Sequence, residues 1–234
     1  MTPEHRRLLP GLLPNLRDVG GLSTVDGRVL AAGVLLRTSA LVSLSEDARA
    51  GLRAALPPAV YVDLRTDADI RHDGEPTELV RDGWTWVRMP VQDREPGEGD
   101  GPEDALRRYR RALPRYLDLA AQVAELLGDR PVVVGCSLGK DRTGLLIAIL
   151  LSWAGVGQDD VVADFAYSNR ALARGRQLLP PRWHDRRLRI TECSAAVCRT
   201  VLTEIPGPGD AHSAALDRLL ASRAREKTTG GAVR

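Results

Sequence analysis

The chain has 234 residues, 43% of them hydrophobic and 27% charged, with a net charge of +2. That length and apolar content allow one domain with a sizeable core, and the near-balanced charge excludes the broad cationic surface of a nucleic-acid binder. Three cysteines, Cys136, Cys193 and Cys198, cannot all pair and show no disulfide framework, so reduced thiols in the cytoplasm are expected.

Residues 1–14 read as a flexible lead-in, 15–226 as a single domain and 227–234 as a disordered tail. The opening "MTPEHRRLLPGLLPN" fits neither a signal peptide nor an anchor. "VLAAGVLLRTSAL" (29–41) predicts one or two strands broken at Gly33. In "SLSEDARAGLRAALPP", Ser43 or Ser45 caps a helix with Glu46 and Asp47 in its first turn, and Pro57 stops it. "AVYVDLRT" (59–66) is β-branched and aromatic, hence a buried strand. "DADIRHDGEP" is a turn or one short helix, and "WTWVRMPV" (84–91) a strand. "QDREPGEGDGPED" (92–104) is an exposed mobile loop. Helical spacing runs over 103–128, with Pro114 as a kink or a break between two helices. "RPVVV" is a short continuous apolar run of the kind found in a central parallel strand. The helix that follows residue 142 is apolar on nearly all sides, so it is buried. Its apolar run of about 13 residues is short of the roughly 20 that cross a bilayer, so no integral membrane segment is expected. Three more helices are read near 157–175, 191–205 and 209–225. Strands alternate with helices in the first two thirds and helices dominate the last. The fold class expected is α/β, a central mostly parallel sheet flanked by helices, with a helical C-terminal third.

The stretch "PVVVGCSLGKDRTGLLIAIL" (131–150) carries the chemistry. Parallel sheets place their sites where strands run into helix N-termini, and Cys136 stands at such an end. The residues after it must curl, which points consecutive N–H groups inward as an anion nest backed by a helix dipole. Gly135 and Gly139 permit that backbone. Arg142, six positions after Cys136, supplies a planar fork for two phosphate oxygens. Such cationic surroundings favour a thiolate, so displacement at phosphorus through a phosphocysteine is the chemistry expected. The phosphate-binding set is Ser137, Leu138, Gly139, Lys140, Arg142 and Thr143, and the Thr143 hydroxyl could serve the departing sulfur. Only two of the 33 basic residues are lysines, Lys140 and Lys227. The arginine preference is that of a GC-rich, bacterial genome, and it makes a lysine inside this loop stand out.

Spacing alone does not define the site. Cys193 also has an arginine six positions on, Arg199, but that stretch lacks glycine and follows no strand. Cys193 and Cys198 are therefore read as buried helix thiols. Neither G-x-x-x-x-G-K-[ST] nor G-x-G-x-x-G occurs. His5, His72, His184 and His212 are scattered, so no zinc cluster or Cys-His pair is indicated.

"CSLGKDRTG" resembles the signature loop of cysteine-dependent tyrosine and dual-specificity phosphatases. Its Lys-Asp pair resembles the bacterial branch that includes phosphoinositide-active members. "NLRDVGGLSTVDGRVLAAGVLLRTSAL" is similar to that branch's opening strand pair and "VDLRTDADIRHDGEP" to its next block. The likeness runs from about residue 14 to about 170 and then thins. It implies Cys136 as nucleophile, Arg142 as clamp and Lys140 as a second cation for highly charged phosphates. A proton donor is also implied: Asp141 at the loop rim, Asp63 at the strand end, or Asp93 on a mobile lid. Arg17, Asp18 and Arg65 are read as an ion-pair scaffold. No cofactor or metal is called for. The partner expected is a phosphorylated substrate, whether protein, lipid head group or small molecule. One departure stands out: the family usually has histidine where Gly135 stands. The alternative to an enzyme is then a catalytically weak phosphate-binding protein.

Overall fold

The computed structural model describes residues 6–9, 11–92, 94, 95, 97–179, 181–184, 190–209, 213 and 216–220. Five strands form one sheet: β1 (Arg17–Asp18), β2 (Leu35–Thr38), β3 (Val60–Asp63), β4 (Thr85–Arg88) and β5 (Val132–Gly135), in the order β1-β2-β5-β3-β4. β2, β5, β3 and β4 are parallel, and β1 runs antiparallel along β2. The helices among the described residues are α1 (Glu46–Ala55), α2 (Asp67–Asp73), α3 (Thr77–Arg81), α4 (Pro102–Leu126), α5 (Asp141–Trp153), α6 (Gln158–Gly175) and α7 (Ala195–Leu202). The α/β architecture with a mostly parallel sheet is the one the sequence predicts.

Strand alternation splits the core between the two faces of the sheet. Leu35, Val62, Val132 and Val134 pack with α4, α5, α6 and α7. Leu36, Tyr61 and Val133 pack with α1, α3 and the N-terminal Leu13 and Leu16. Covered on both faces, β5 buries every residue. Helix α5 has no polar stripe because residues Thr143 to Leu151 are all buried.

Several boundaries follow local chemistry. The Ser45 side chain accepts from the Ala48 N–H and starts α1, which ends before Pro57. "DADIRHDGEP" makes α2, closed by a capping box of Thr66 and Asp69, and a second helix, α3, follows. Pro114 neither splits nor ends α4, which is one helix of 25 residues. Tyr109, Tyr116, Leu119 and Val123 bury both halves of it, and that packing outweighs the hydrogen bond proline removes. In the lead-in, Arg6 and Leu13 are buried rather than free. Most of the helix read at 209–225 and the tail 227–234 lie outside the described residues.

What ties the lead-in down is a buried charge cluster. Asp164 of α6 receives Arg6 at 3.1 Å, Arg17 at 3.0 Å and Arg37 at 2.6 Å. Burial would raise the Asp164 carboxyl, but the three guanidiniums outweigh it and hold it well below the usual carboxylate range. Burial and neighbouring Arg37 draw Arg17 down to about 10, against the pull of Asp164. Arg17 therefore belongs to a scaffold, as expected, but its partner is not Asp18. The Asp18 carboxylate accepts instead from the Gly20 and Gly33 N–H groups at 2.7 and 2.6 Å.

Asp164→Ala leaves buried cations uncompensated and is expected to cost about 3–5 kcal/mol in chemical denaturation. In the wild type the carboxylate's contribution is complete above the ordinary aspartate pKa of about 3.9 and is lost as pH falls from there. The acid limb of the stability curve is therefore expected to be flatter in the variant.

Candidate active site

Strand β5 ends at Gly135 and helix α5 starts at Asp141, so residues 136–140 make the bend between them. Cys136 sits at the C-terminal edge of the central strand, only 3% exposed, and lines a cleft of about 720 Å³. The bend requires one glycine. Gly139 has φ +65°, and a Cβ there would stand 2.1 Å from the Thr38 carbonyl oxygen. Among the described residues no protein group accepts from the backbone N–H of Ser137, Leu138, Gly139, Lys140 or Asp141. Those donors, beside a thiol at a helix N-terminus, form the kind of cradle an oxyanion fills.

The cations converge on the same place. Arg142 donates from Nη1 to the Leu64 carbonyl at 3.3 Å and to Asp69 Oδ2 at 2.7 Å, and from Nη2 to Ser137 Oγ at 3.3 Å. Lys140 is 2% exposed and its Nζ meets Asp141 Oδ2 at 2.7 Å. Burial works against its charge, but Asp141 more than offsets that and keeps Lys140 above its ordinary value. A third cation, Arg182, was not foreseen. It lies in a 3-10 turn (Pro181–His184) and reaches Ser137 Oγ and Asp69 Oδ1 at 2.9 Å each and Asp73 Oδ2 at 2.8 Å. Asp69 thus joins two arginines across the cleft. Burial raises its carboxyl, yet Arg142 and Arg182 outweigh that and hold it far below the ordinary value.

The three aspartates expected near the reaction occupy different settings. Asp141 lines the cleft with its side chain 33% exposed. It also accepts from the Tyr109 hydroxyl at 2.8 Å. Tyr109 is held well above its usual pKa by burial and by Asp141, so it stays a donor. Asp63 is fully buried outside the cleft, bound by Arg65 Nη2 at 2.8 Å and by Trp86 Nε1 at 3.1 Å. With both oxygens engaged it is a structural ion pair, and the expected scaffold role of Arg65 is fulfilled through it. Asp93 lies outside the described residues. Thr143 is fully buried, and its hydroxyl has no partner among the described residues, so it is not hydrogen-bonded to the Cys136 sulfur.

Gly135 has a packing explanation. A Cβ there would stand 2.8 Å from the Tyr61 ring and 2.9 Å from its hydroxyl oxygen. The β3 tyrosine fills the volume a side chain before the cysteine would need. Burial, then Asp63, lifts Tyr61 well above its usual pKa, so it remains a neutral phenol. Cys193 and Cys198 are buried as expected, but only Cys198 lies in a helix, since Cys193 precedes α7; burial pushes both thiols up to about 12. A second cavity of about 900 Å³ adjoins the first and shares Arg108, Asp141 and Thr191 with it. Among the described residues no group of histidine, cysteine and carboxylate side chains is arranged to hold a metal, and no helix is long and apolar enough to cross a membrane.

This arrangement of a cysteine at a strand end, free amides and an arginine six residues on defines a cysteine-phosphatase type of site. The chain belongs to the tyrosine phosphatase family, whose profile matches residues 10–222 and so extends through the C-terminal helices. A Cupriavidus necator protein carrying a tyrosine-protein phosphatase name is 31% identical over 190 residues, 70% of this chain and 64% of that protein. The chain therefore spans under two thirds of that relative's length. The triple specificity protein phosphatase PtpB of Mycobacterium tuberculosis is 29% identical over 209 residues, 73% of this chain and 71% of PtpB. Among solved structures, Pseudomonas aeruginosa TpbA aligns over 85% of this chain and 95% of its own at 15% identity and a TM-score of 0.35.

Gly135→His is expected to destabilise the protein by about 1–3 kcal/mol through overpacking against Tyr61. Trimming the tyrosine in Gly135→His/Tyr61→Ala relieves that clash. A double-mutant cycle by thermal denaturation should show coupling in favour of the pair.

Proposed function

We propose that the chain is a metal-independent phosphomonoesterase working through a phosphocysteine. The observation that supports this reading is that Cys136, Arg142 and four residues whose backbone N–H groups find no acceptor among the described residues, Ser137, Leu138, Lys140 and Asp141, line one cleft. The Cys136 thiolate attacks phosphorus in line with the leaving oxygen. As the S–P bond forms, the P–O bond breaks and its electron pair goes to that oxygen. Asp141, at the cleft wall, first takes up the proton that the Cys136 thiol gives up and then hands it to that oxygen. The nest amides and Arg142 take the charge on the three non-bridging oxygens. Water then attacks the phosphocysteine, Asp141 takes a proton from it, and the thiolate departs. Tyr109 and Lys140 hold Asp141 in place throughout.

The substrate is a phosphate monoester whose remainder occupies the adjoining cavity. Phosphotyrosine, a phosphoinositide head group and a small phosphorylated metabolite, such as a nucleoside or sugar phosphate, all meet that description. The two cavities, of about 720 and 900 Å³, leave room for more than a bare phosphate. The buried Lys140 adds a cation suited to a highly charged ester.

The expected outcomes are hydrolysis of an aryl phosphate, its loss in Cys136→Ser, and retention of inorganic phosphate binding by that variant. Turnover should persist in chelator, because the loop supplies its own positive charge. It should fall with vanadate, and with peroxide as the thiolate is oxidised to sulfenic acid. Strict magnesium dependence, or full activity in Cys136→Ser, would sink the mechanism. Phosphate binding without any product from the wild type would instead make the chain a phosphate-binding protein.

A further inference from the structure

The rear of the loop is as organised as its front. The Ser137 carbonyl accepts from the Ala40 N–H at 3.3 Å. The Leu138 and Gly139 carbonyls each accept from Asn15 Nδ2 at 3.0 Å. The Gly139 and Lys140 carbonyls accept from Arg37 Nη2 at 2.9 and 3.4 Å. Four consecutive carbonyls are thus tied by groups that do not line the cleft, the Lys140 carbonyl also by the helical Gly144 N–H at 2.9 Å. A peptide unit that directs its carbonyl one way directs its N–H the other, so these ties turn the amides toward the cleft.

The two side chains making the ties are themselves fixed. Asn15 is buried, and Arg17 Nη1 donates to its Oδ1, which leaves the amide NH2 aimed at the loop. Arg37 is held by Asp164 Oδ2 at 2.6 Å and also donates to Ser168 Oγ at 3.2 Å. Neither residue lines the cleft, so neither can touch a bound phosphate.

We propose that Asn15 and Arg37 are positioning residues for oxyanion binding: they act on the phosphoryl group through the loop backbone, by holding its carbonyls outward. The role rests on the phosphatase reading above. It gives the N-terminal segment a part in the site, since Asn15 lies 121 positions before Cys136. Untied, the peptide units that carry the Leu138 and Gly139 carbonyls can rotate and present those oxygens to an anion, which repels it. The effect is therefore on phosphate affinity and kcat/KM more than on the integrity of the core.

The test measures inorganic phosphate as a competitive inhibitor of aryl phosphate hydrolysis, together with the thermal midpoint. The proteins compared are the wild type, Asn15→Ala, Arg37→Lys and Leu52→Ala. The last is a core control in the cluster under α1. Asn15→Ala and Arg37→Lys are expected to weaken phosphate inhibition and lower kcat/KM by about tenfold or more each. Leu52→Ala should keep the wild-type inhibition constant despite its lower midpoint, and a merely structural role would move all three variants alike. If Asn15→Ala does not fold, Arg37→Lys carries the same test, because it keeps a cation for Asp164 and loses the fork to the Gly139 carbonyl. Wild-type phosphate inhibition in both positioning variants would overturn the proposal and leave the phosphatase reading intact. A wild type that neither hydrolyses the ester nor binds phosphate would overturn both.

Discussion

One buried carboxylate, Asp164, holds together parts of the chain that are far apart in sequence. It collects guanidiniums from the N-terminal segment, from β1 and from β2, and it does so from α6. Burying charges is costly unless each finds a partner, and an unpaired member is worse than no cluster at all. The cluster is therefore specific in outcome: β2 and α6 must meet with Arg37 between them. Once they meet, the same guanidinium reaches the Gly139 carbonyl. Fold and site share that one contact.

The carboxylates around the cleft divide by their surroundings. Asp63, Asp69 and Asp164 are locked to arginines and act as struts. Asp141 is also paired, yet it alone of the candidate acids described here opens to the cleft. The cations divide likewise. Arg142, Arg182 and Lys140 line the cleft, whereas Arg6, Arg17 and Arg37 stand behind the loop. The cleft thus carries charge at its front and a hydrogen-bonded backbone at its rear.

Much of this was legible from local patterns. The apolar run of β5, the bend with Gly139 and the apolar α5 announced a strand-loop-helix site, because short-range sterics and burial dictate each element. Ser45 marked the start of α1 by the hydrogen bond it accepts. Of the kink or break read at Pro114, the break does not occur, since packing along both halves of α4 overrode a local penalty. Asp69 carried a sequence signal, the capping box with Thr66, but that signal concerns only a helix end. Its second task, holding Arg142, depends on where α2 lands. Arg182 and Tyr109 carried no signal at all, and Asn15 only its place at the head of a family-like block, because each acts across a long stretch of chain.

The sequence by itself determined the α/β class, the seat of Cys136 at a strand end with Arg142 six residues on, and the burial of Cys193 and Cys198. These follow from neighbours along the chain and from which stretches must leave water. Tertiary structure alone decided which of the candidate acids opens to the cleft and why Gly135 cannot carry a side chain. It also decided which residues face the loop from behind. Those answers depend on the order β2-β5-β3 and on the seating of α2 and α6, and such distances are set by packing between segments that no local pattern brings together.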